Sequence, residues 1–174
     1  MQPGDGDRRR SLRQDGHDYA RPGWYFVTIT TTEFAPQFGE IDDTHVILNV
    51  YGKIVADEWL RTVEVRSNVV LDAYVVMPDH LHGIVSITWP RSEHSQPGAH
   101  GSPSQSLSAI MRGFKGASTR RVNELRGTQG VTIWHRSFHD QVIRSRDHLD
   151  AIRCYIAENP RRWRDDPLRP HRQQ

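Results

Sequence analysis

Tyr74-Val75-Val76-Met77-Pro78-Asp79-His80-Leu81-His82-Gly83-Ile84-Val85-Ser86-Ile87 reads as two apolar strands joined by a short turn at Met77-Pro78-Asp79. Side chains alternate faces along a strand, so His80 and His82 point the same way, roughly 7 Å apart along the chain, while Leu81 points into the core. Two imidazoles on one face can bind one metal ion. They can equally be two surface histidines on an exposed sheet face. Two ligands alone hold a divalent ion poorly, so a metal site requires a third ligand from elsewhere.

The elements around this hairpin follow from periodicity. Trp24 to Thr32 is aromatic and β-branched, the pattern of a first strand. A short hairpin is expected around Gly39 to Leu48. From about Asn49 to Val65, Ile54, Val55, Trp59, Leu60 and Val63 recur at helical spacing. Val69 to Val76 and His80 to Thr88 are the second and third strands. Residues 90–105 are rich in Pro, Ser, Gly and His and read as a flexible loop. Ser106 to Leu125 reads as a helix with Leu107, Ile110, Met111, Phe114 and Val122 on its apolar side and Arg112, Lys115, Arg120 and Arg121 on its polar side. A fourth strand is expected over Phe138 to Ile143. A last helix is expected to start at Arg146, with Asp147 as N-cap, and to stop by Glu158, because Pro160 disfavours helix at Asn159.

The order β-α-β-β-α-β-α begins with the six elements of a ferredoxin-like arrangement. The expected class is therefore α+β: an antiparallel sheet with helices on one face, followed by a C-terminal helix. One domain is expected over residues 21–163, between a basic tail at 1–20 and a tail at 164–174. This fold hosts RNA-binding modules, enzymes and sensors alike, so it does not choose a function.

Composition narrows the classes. At 36% hydrophobic and 25% charged residues, the 174-residue chain is of globular type with one core. No apolar run approaches the roughly 20 residues that span a membrane, and no secretory h-region is visible, so the default compartment is the cytoplasm. The single cysteine, Cys154, excludes an internal disulfide and a multi-cysteine zinc site. Net charge is +2, yet residues 1–104 carry 9 Lys/Arg against 14 Asp/Glu, and residues 105–174 carry 14 against 7. A basic half in a near-neutral whole suits a polyanion on one face, although a solvated, salt-bridged surface reads the same way.

The last helix supplies candidates for the missing ligand. Leu149, Ile152 and Ile156 form its core stripe, with His148, Tyr155 and Asn159 beside it. Tyr155 and Asn159 are four apart and share a face. If the helix crosses the sheet edge near His80 and His82, Asn159 can complete a two-histidine, one-amide site with Tyr155 alongside. The alternative is a half-buried tyrosine and an asparagine acting as a C-cap.

Tyr74 to Gly83 and Tyr155-Ile156-Ala157-Glu158-Asn159-Pro160 resemble the two signature blocks of the single-tyrosine HUH transposases, and more narrowly those of the REP-associated tyrosine transposases. Arg10-Ser11-Leu12-Arg13, Trp24 to Thr30, Glu58 to Thr62, Ser108 to Lys115, Arg121 to Gly127 and Val142-Ile143-Arg144 fit in the same order, so the likeness runs from about residue 9 to 163. The block Trp134 to Gln141 departs from it, with Phe138 and Gln141 where relatives carry Tyr and His. The resemblance implies that Tyr155 is the nucleophile, that His80, His82 and Asn159 hold Mg2+ or Mn2+, and that single-stranded DNA beside a hairpin is cut through a covalent 5′-phosphotyrosine. A monomer and a homodimer are both compatible with it. Arg112, Lys115, Arg120, Arg121 and Arg144 are the expected phosphate contacts. Trp24, Trp134 and Trp163 are either base-stacking or core residues. Asp79 either orients one imidazole or serves the turn.

Two other classes remain open at this point. One is a non-catalytic ferredoxin-like module that holds structured single strands. The other is a structural zinc protein, which with one cysteine would need histidines and carboxylates only. Convergence of His80, His82, Tyr155 and Asn159 in space separates the first class from the enzyme.

Overall fold

The structure, a computed structural model, describes residues 21–88 and 106–163. The tails at 1–20 and 164–174 and the loop at 90–105 lie outside the described residues. The elements are β1 (Gly23–Thr30), a 3-10 turn (Thr32–Phe34), β2 (Gly39–Asp42), β3 (His45–Leu48), α1 (Val50–Val65), β4 (Val69–Val76), β5 (His80–Ile87), α2 (Leu107–Arg126), β6 (His139–Ile143) and α3 (Arg146–Arg162). Four strands form one sheet in the order β4-β5-β1-β6, every neighbouring pair antiparallel, and β2 and β3 form a separate hairpin. This is the expected α+β, ferredoxin-like order with a hairpin inserted between β1 and α1.

Strand alternation divides the molecule into two cores. Tyr25, Val27, Ile29, Leu81, Val85 and Ile87 face α1 and α2, where they pack with Val55, Trp59, Ile110, Met111 and Phe114. Trp24, Phe26, Val75 and Ile84 face the other way and pack under Leu149, Ile152 and Ile156 of α3. The third helix thus lies on the opposite face of the sheet from the first two, not across its edge. Burying those three aliphatic side chains is worth about 5–9 kcal/mol in transfer terms, which is what holds the helix down.

Gly83 shows why β5 carries a residue with no side chain between His82 and Ile84. A Cβ there would lie 2.4 Å from Cζ2 of Trp59, so the indole packs flat against the strand backbone. Strand β4 contains a bulge between Leu71 and Tyr74. It lets Leu71 and Tyr74 both join the larger core while Ala73 joins the smaller one.

Several expectations are corrected. Leu60 and Val63 are on the outer side of α1, 49% and 40% exposed, because β5 meets Val55 and Trp59 instead. The N-cap of α3 is Ser145, whose Oγ accepts from His148 N at 3.1 Å, and Asp147 lies in the first turn. The helix also runs through Pro160 to Arg162. Proline removes one donor there, and burial of Trp163, stacked on His80, compensates.

Candidate active site

The turn that opens β5 is held before any side chain is considered. Met77 N donates to His80 O (2.7 Å), Thr31 N to Asp79 O (2.8 Å), and Gln37 N and Phe38 N to Pro78 O (2.8 and 3.0 Å). His80 and His82 then project from the α3 side, with ring centroids 4.4 Å apart.

Each imidazole is oriented through Nδ1. Asp79 Oδ1 lies 2.7 Å from His80 Nδ1, and because a carboxylate only accepts, the proton sits on Nδ1. Thr28 Oγ1 lies 2.8 Å from His82 Nδ1. Thr28 is the cross-strand partner of His82, so β1 supplies this contact by register alone. Both Nε2 atoms are thereby left toward α3. Fixing one ring nitrogen so that the other can bind is how metal-ligating histidines are commonly supported. Asp79 thus serves as an orienting residue as well as a turn residue.

The α3 side completes the cluster. Tyr155 OH stands 3.4 Å from His82 Nε2, a long hydrogen bond. Its ring packs edge-on against Phe26 and His82, at centroid distances of 5.9 and 5.3 Å. Asn159 is 1% exposed, and neither its Oδ1 nor its Nδ2 has a protein partner; the same holds for His80 Nε2. Trp163 stacks on His80 at 5.5 Å and 23°, and Phe26 stacks on His82 at 5.3 Å and 29°. Buried polar atoms are nearly always satisfied, so unpartnered atoms on His80 and Asn159 call for an explanation, as do those on Trp59, Asn68 and Asp140 elsewhere among the described residues. Burial, and secondarily the neighbouring His80, push the His82 pKa well below its ordinary value and keep the ring neutral, the form that coordinates a cation. Among the described residues, no group of three or more His, Cys, Asp or Glu side chains could hold a metal ion.

One ion pair sets the rotation of α3. Arg153 Nε and Nη2 donate to Asp72 Oδ1 and Oδ2 at 2.8 and 2.6 Å, and Asp72 Oδ1 also accepts from Ala73 N. The Arg153 hydrogen bonds hold the Asp72 carboxyl below its ordinary pKa. Arg153 reaches β4 while Tyr155 reaches Phe26 of β1, so the two flank the buried stripe on opposite sides. With side-chain tips at a radius of roughly 6 Å, a 20° roll of the helix would carry the hydroxyl about 2 Å away from His82.

The expected phosphate contacts are distributed differently. Arg112, Lys115, Arg120 and Arg121 belong to α2, on the face opposite the histidines. Lys115 Nζ donates to the carbonyls of His135, Arg136 and Ser137 (3.0, 3.4 and 2.9 Å), and burial lowers its pKa to about 8. Arg121 is bound to Asp57 and to Glu58, the latter at 2.6 Å, so its charge is spent inside the protein. Arg112 and Arg120 are exposed, and Arg120 has only a 3.9 Å ion pair with Glu124. Arg144 is exposed in the turn between β6 and α3. A groove of about 800 Å³ runs along Arg112, Lys115, Arg120 and Arg136 and contains none of the four site residues. Of the tryptophans, Trp134 and Trp163 are buried and Trp24 is half-buried.

A family model described as Transposase IS200 like matches residues 45–159, about two thirds of the chain. The chain belongs to the IS200-like transposase family. An uncharacterized protein of Haemophilus influenzae is 29% identical over 168 residues, covering 92% of each chain. Among solved structures, a REP-associated tyrosine transposase bound to a REP hairpin superposes with a TM-score of 0.55 at 18% identity, over 85% of this chain and 72% of that one. A Deinococcus radiodurans transposase candidate gives 0.46 at 19% identity, over 83% and 95%. The IS200-like segment includes His80, His82, Tyr155 and Asn159 and leaves β1 outside, so Thr28 reaches the site from beyond the matched residues.

Thr28, the Asp72–Arg153 pair and the stacking of Phe26 were not singled out by the sequence. Thr28 shares a strand face with Trp24 and Phe26, but its partner depends on a register that local sequence does not specify.

Proposed function

We propose that this IS200-like transposase cuts and rejoins single-stranded DNA beside a hairpin, with Tyr155 as nucleophile. One observation carries the reading: Tyr155 OH lies 3.4 Å from His82 Nε2, Trp163 two turns later stacks on His80, and the buried, unpartnered Asn159 amide stands midway between them along α3. A divalent cation is the group that would satisfy these unpartnered atoms. His80 and His82 would hold it through Nε2 and Asn159 through Oδ1, a mixed nitrogen and oxygen set suited to Mn2+ or Mg2+. When bound, the ion supplies positive charge for the scissile phosphate.

The rest of the reaction falls to the protein. Phe26 and His82 hold the phenol in one orientation, which removes much of the entropic cost of attack. The tyrosine oxygen forms a bond to phosphorus, and the bond from phosphorus to the 3′ oxygen breaks. The phenol gives up its proton and the departing oxygen takes one up, so that it leaves as a 3′-OH while the 5′ side stays on Tyr155 as a phosphodiester. The phosphodiester is conserved, so rejoining is the same displacement reversed and needs no nucleotide triphosphate.

Tyr155 meets the histidines of its own chain, which supports action within one monomer and leaves a homodimer unnecessary. The hairpin-bound structural relative supports a hairpin as partner. None of the helices described is long and apolar enough to cross a membrane, and the reading places the protein in the cytoplasm, at the nucleoid.

The test is a labelled single-stranded hairpin incubated with protein and Mn2+ and run on a denaturing gel. A covalent adduct is expected, abolished by Tyr155→Phe and prevented by EDTA. An adduct that survives Tyr155→Phe would sink the assignment. Hairpin binding without any adduct across several hairpins would favour the non-catalytic module.

A further inference from the structure

We infer that Phe34 and His135 form a stacking platform for a nucleobase in the single strand flanking the scissile phosphate. The inference rests on the single-stranded DNA reading above and names where that strand is gripped.

Three features, independent of one another, meet at this point. Phe34 is 38% exposed and stacks on exposed His135 at 6.5 Å and 17°, presenting an aromatic surface to solvent. The bend that raises Phe34 is conformationally unfavourable: Glu33 and Phe34 both have positive φ, 57° and 52°. It is held by Phe34 N on Thr31 O, Ala35 N on Thr32 O, and Thr31 Oγ1 on Ala35 O (3.3, 3.3 and 2.9 Å). Among the described residues the phenyl ring that these two left-handed residues carry joins neither core, and strain of this kind clusters where function requires it.

The third feature is the loop beneath the stack. Lys115 gathers the carbonyls of His135, Arg136 and Ser137 inward, which leaves the side chains of His135 and Arg136 outward. Ser137 Oγ at 2.9 Å from His135 Nδ1 then fixes the imidazole. A flat π-surface with Arg136, Arg112 and Arg120 along the adjoining groove is the combination that single strands bind: stacking for bases, cations for phosphates.

Position decides the occupant. His135 N donates to Thr30 O at 2.8 Å, and Thr30 is the cross-strand partner of His80. His135, Thr30 and His80 therefore lie in one row across the end of the sheet, the outer two roughly 10 Å apart by strand spacing. A base stacked there belongs to the strand being cut and not to a distant part of the hairpin.

The experiment uses the Tyr155→Phe protein, in EDTA, so that no chemistry intervenes. Hairpins with and without a single-stranded flank are compared, the flank carrying a fluorescent 2-aminopurine. Phe34→Asn is the variant of choice because asparagine tolerates positive φ and removes the ring without disturbing the bend. It is expected to weaken binding of the flanked hairpin by roughly tenfold to a hundredfold, to leave the unflanked hairpin unchanged, and to abolish quenching of the base. Phe34→Trp is expected to restore both. Equal binding of the flanked hairpin by Phe34→Asn and its parent overturns the proposal, as does equal loss on both hairpins. Quenching by a protein that forms no adduct as wild type removes the nicking reading and leaves the platform; adducts without quenching do the reverse.

Discussion

Replacing Asn159 by Leu should stabilise the metal-free protein and disable it. Leucine has the same branched heavy-atom skeleton as asparagine, so the change removes polarity with little change of shape. In the present structure both amide atoms of Asn159 are buried without partners. An unsatisfied buried donor or acceptor costs about 1–3 kcal/mol, and its replacement by an apolar group of the same shape is neutral to favourable. A gain of about 1–3 kcal/mol corresponds to a rise in melting temperature of about 2–12 °C for a domain of this length. Thermal denaturation in EDTA, followed by far-UV circular dichroism, reads it directly. With Mn2+ added, the wild-type protein should melt higher still, since a ligand at a hundred times its Kd adds about 2.7 kcal/mol. The Leu variant should show no such response and no covalent DNA adduct. Asn159→Asp keeps an oxygen ligand and should keep the response to Mn2+. A Leu variant that melts below wild type in EDTA, or that forms adduct at the wild-type rate, would show that Asn159 is a packing residue and not a ligand.

Thr28→Val keeps the β-branched shape and removes the contact to His82 Nδ1; Mn2+ affinity should fall about 10–100-fold in a calorimetric titration, and an unchanged affinity would discount that contact. Arg153→Ala should speed amide hydrogen exchange through α3 and leave the sheet unaffected, and exchanging the pair as Asp72→Arg with Arg153→Asp should slow it again; exchange that rises everywhere would mean general destabilisation. Gly83→Ala drives a methyl group into Trp59 and should cost about 1–3 kcal/mol by urea titration, partly recovered by Trp59→Phe; a neutral substitution would contradict the close approach.

The order of elements was legible because periodicity is a local property. The apolar positions of α2, all five of those expected, are buried as read. The positions that failed are ones where a distant partner decides. Leu60 and Val63 fit the helical period of α1 as well as Trp59 does, but it is Trp59 that meets the strand at Gly83, and only the packing partner tells the two sides apart. The end of α3 runs past the expected stop because the rule about residues before proline is local, whereas the contact that seats the helix end, Trp163 on His80, comes from β5, some eighty residues earlier. The site followed the same division. His80, His82, Tyr155 and Asn159 are visible as types and spacings; the structure sets Tyr155 against His82 and His82 against His80, and buries Asn159 one turn along α3 from Tyr155. Thr28 and the Asp72–Arg153 pair depend on strand register and on a bulge, which no short stretch of sequence declares.

The placement of α3 on its own face of the sheet bears on how the site assembles. Both histidines are contributed by the sheet, while the hydroxyl, the amide and the indole over His80 all come from one helix. That helix is held by a core of three aliphatic side chains of its own, far smaller than the one uniting α1, α2 and the other face. The two cores share the sheet backbone and little else, so loosening α3 would dismantle the site while leaving the main fold intact. Polar orphans at Asn159 and His80 weaken that same small interface. A group that satisfied them would act where docking is weakest, so that completing the site and seating the helix become one event.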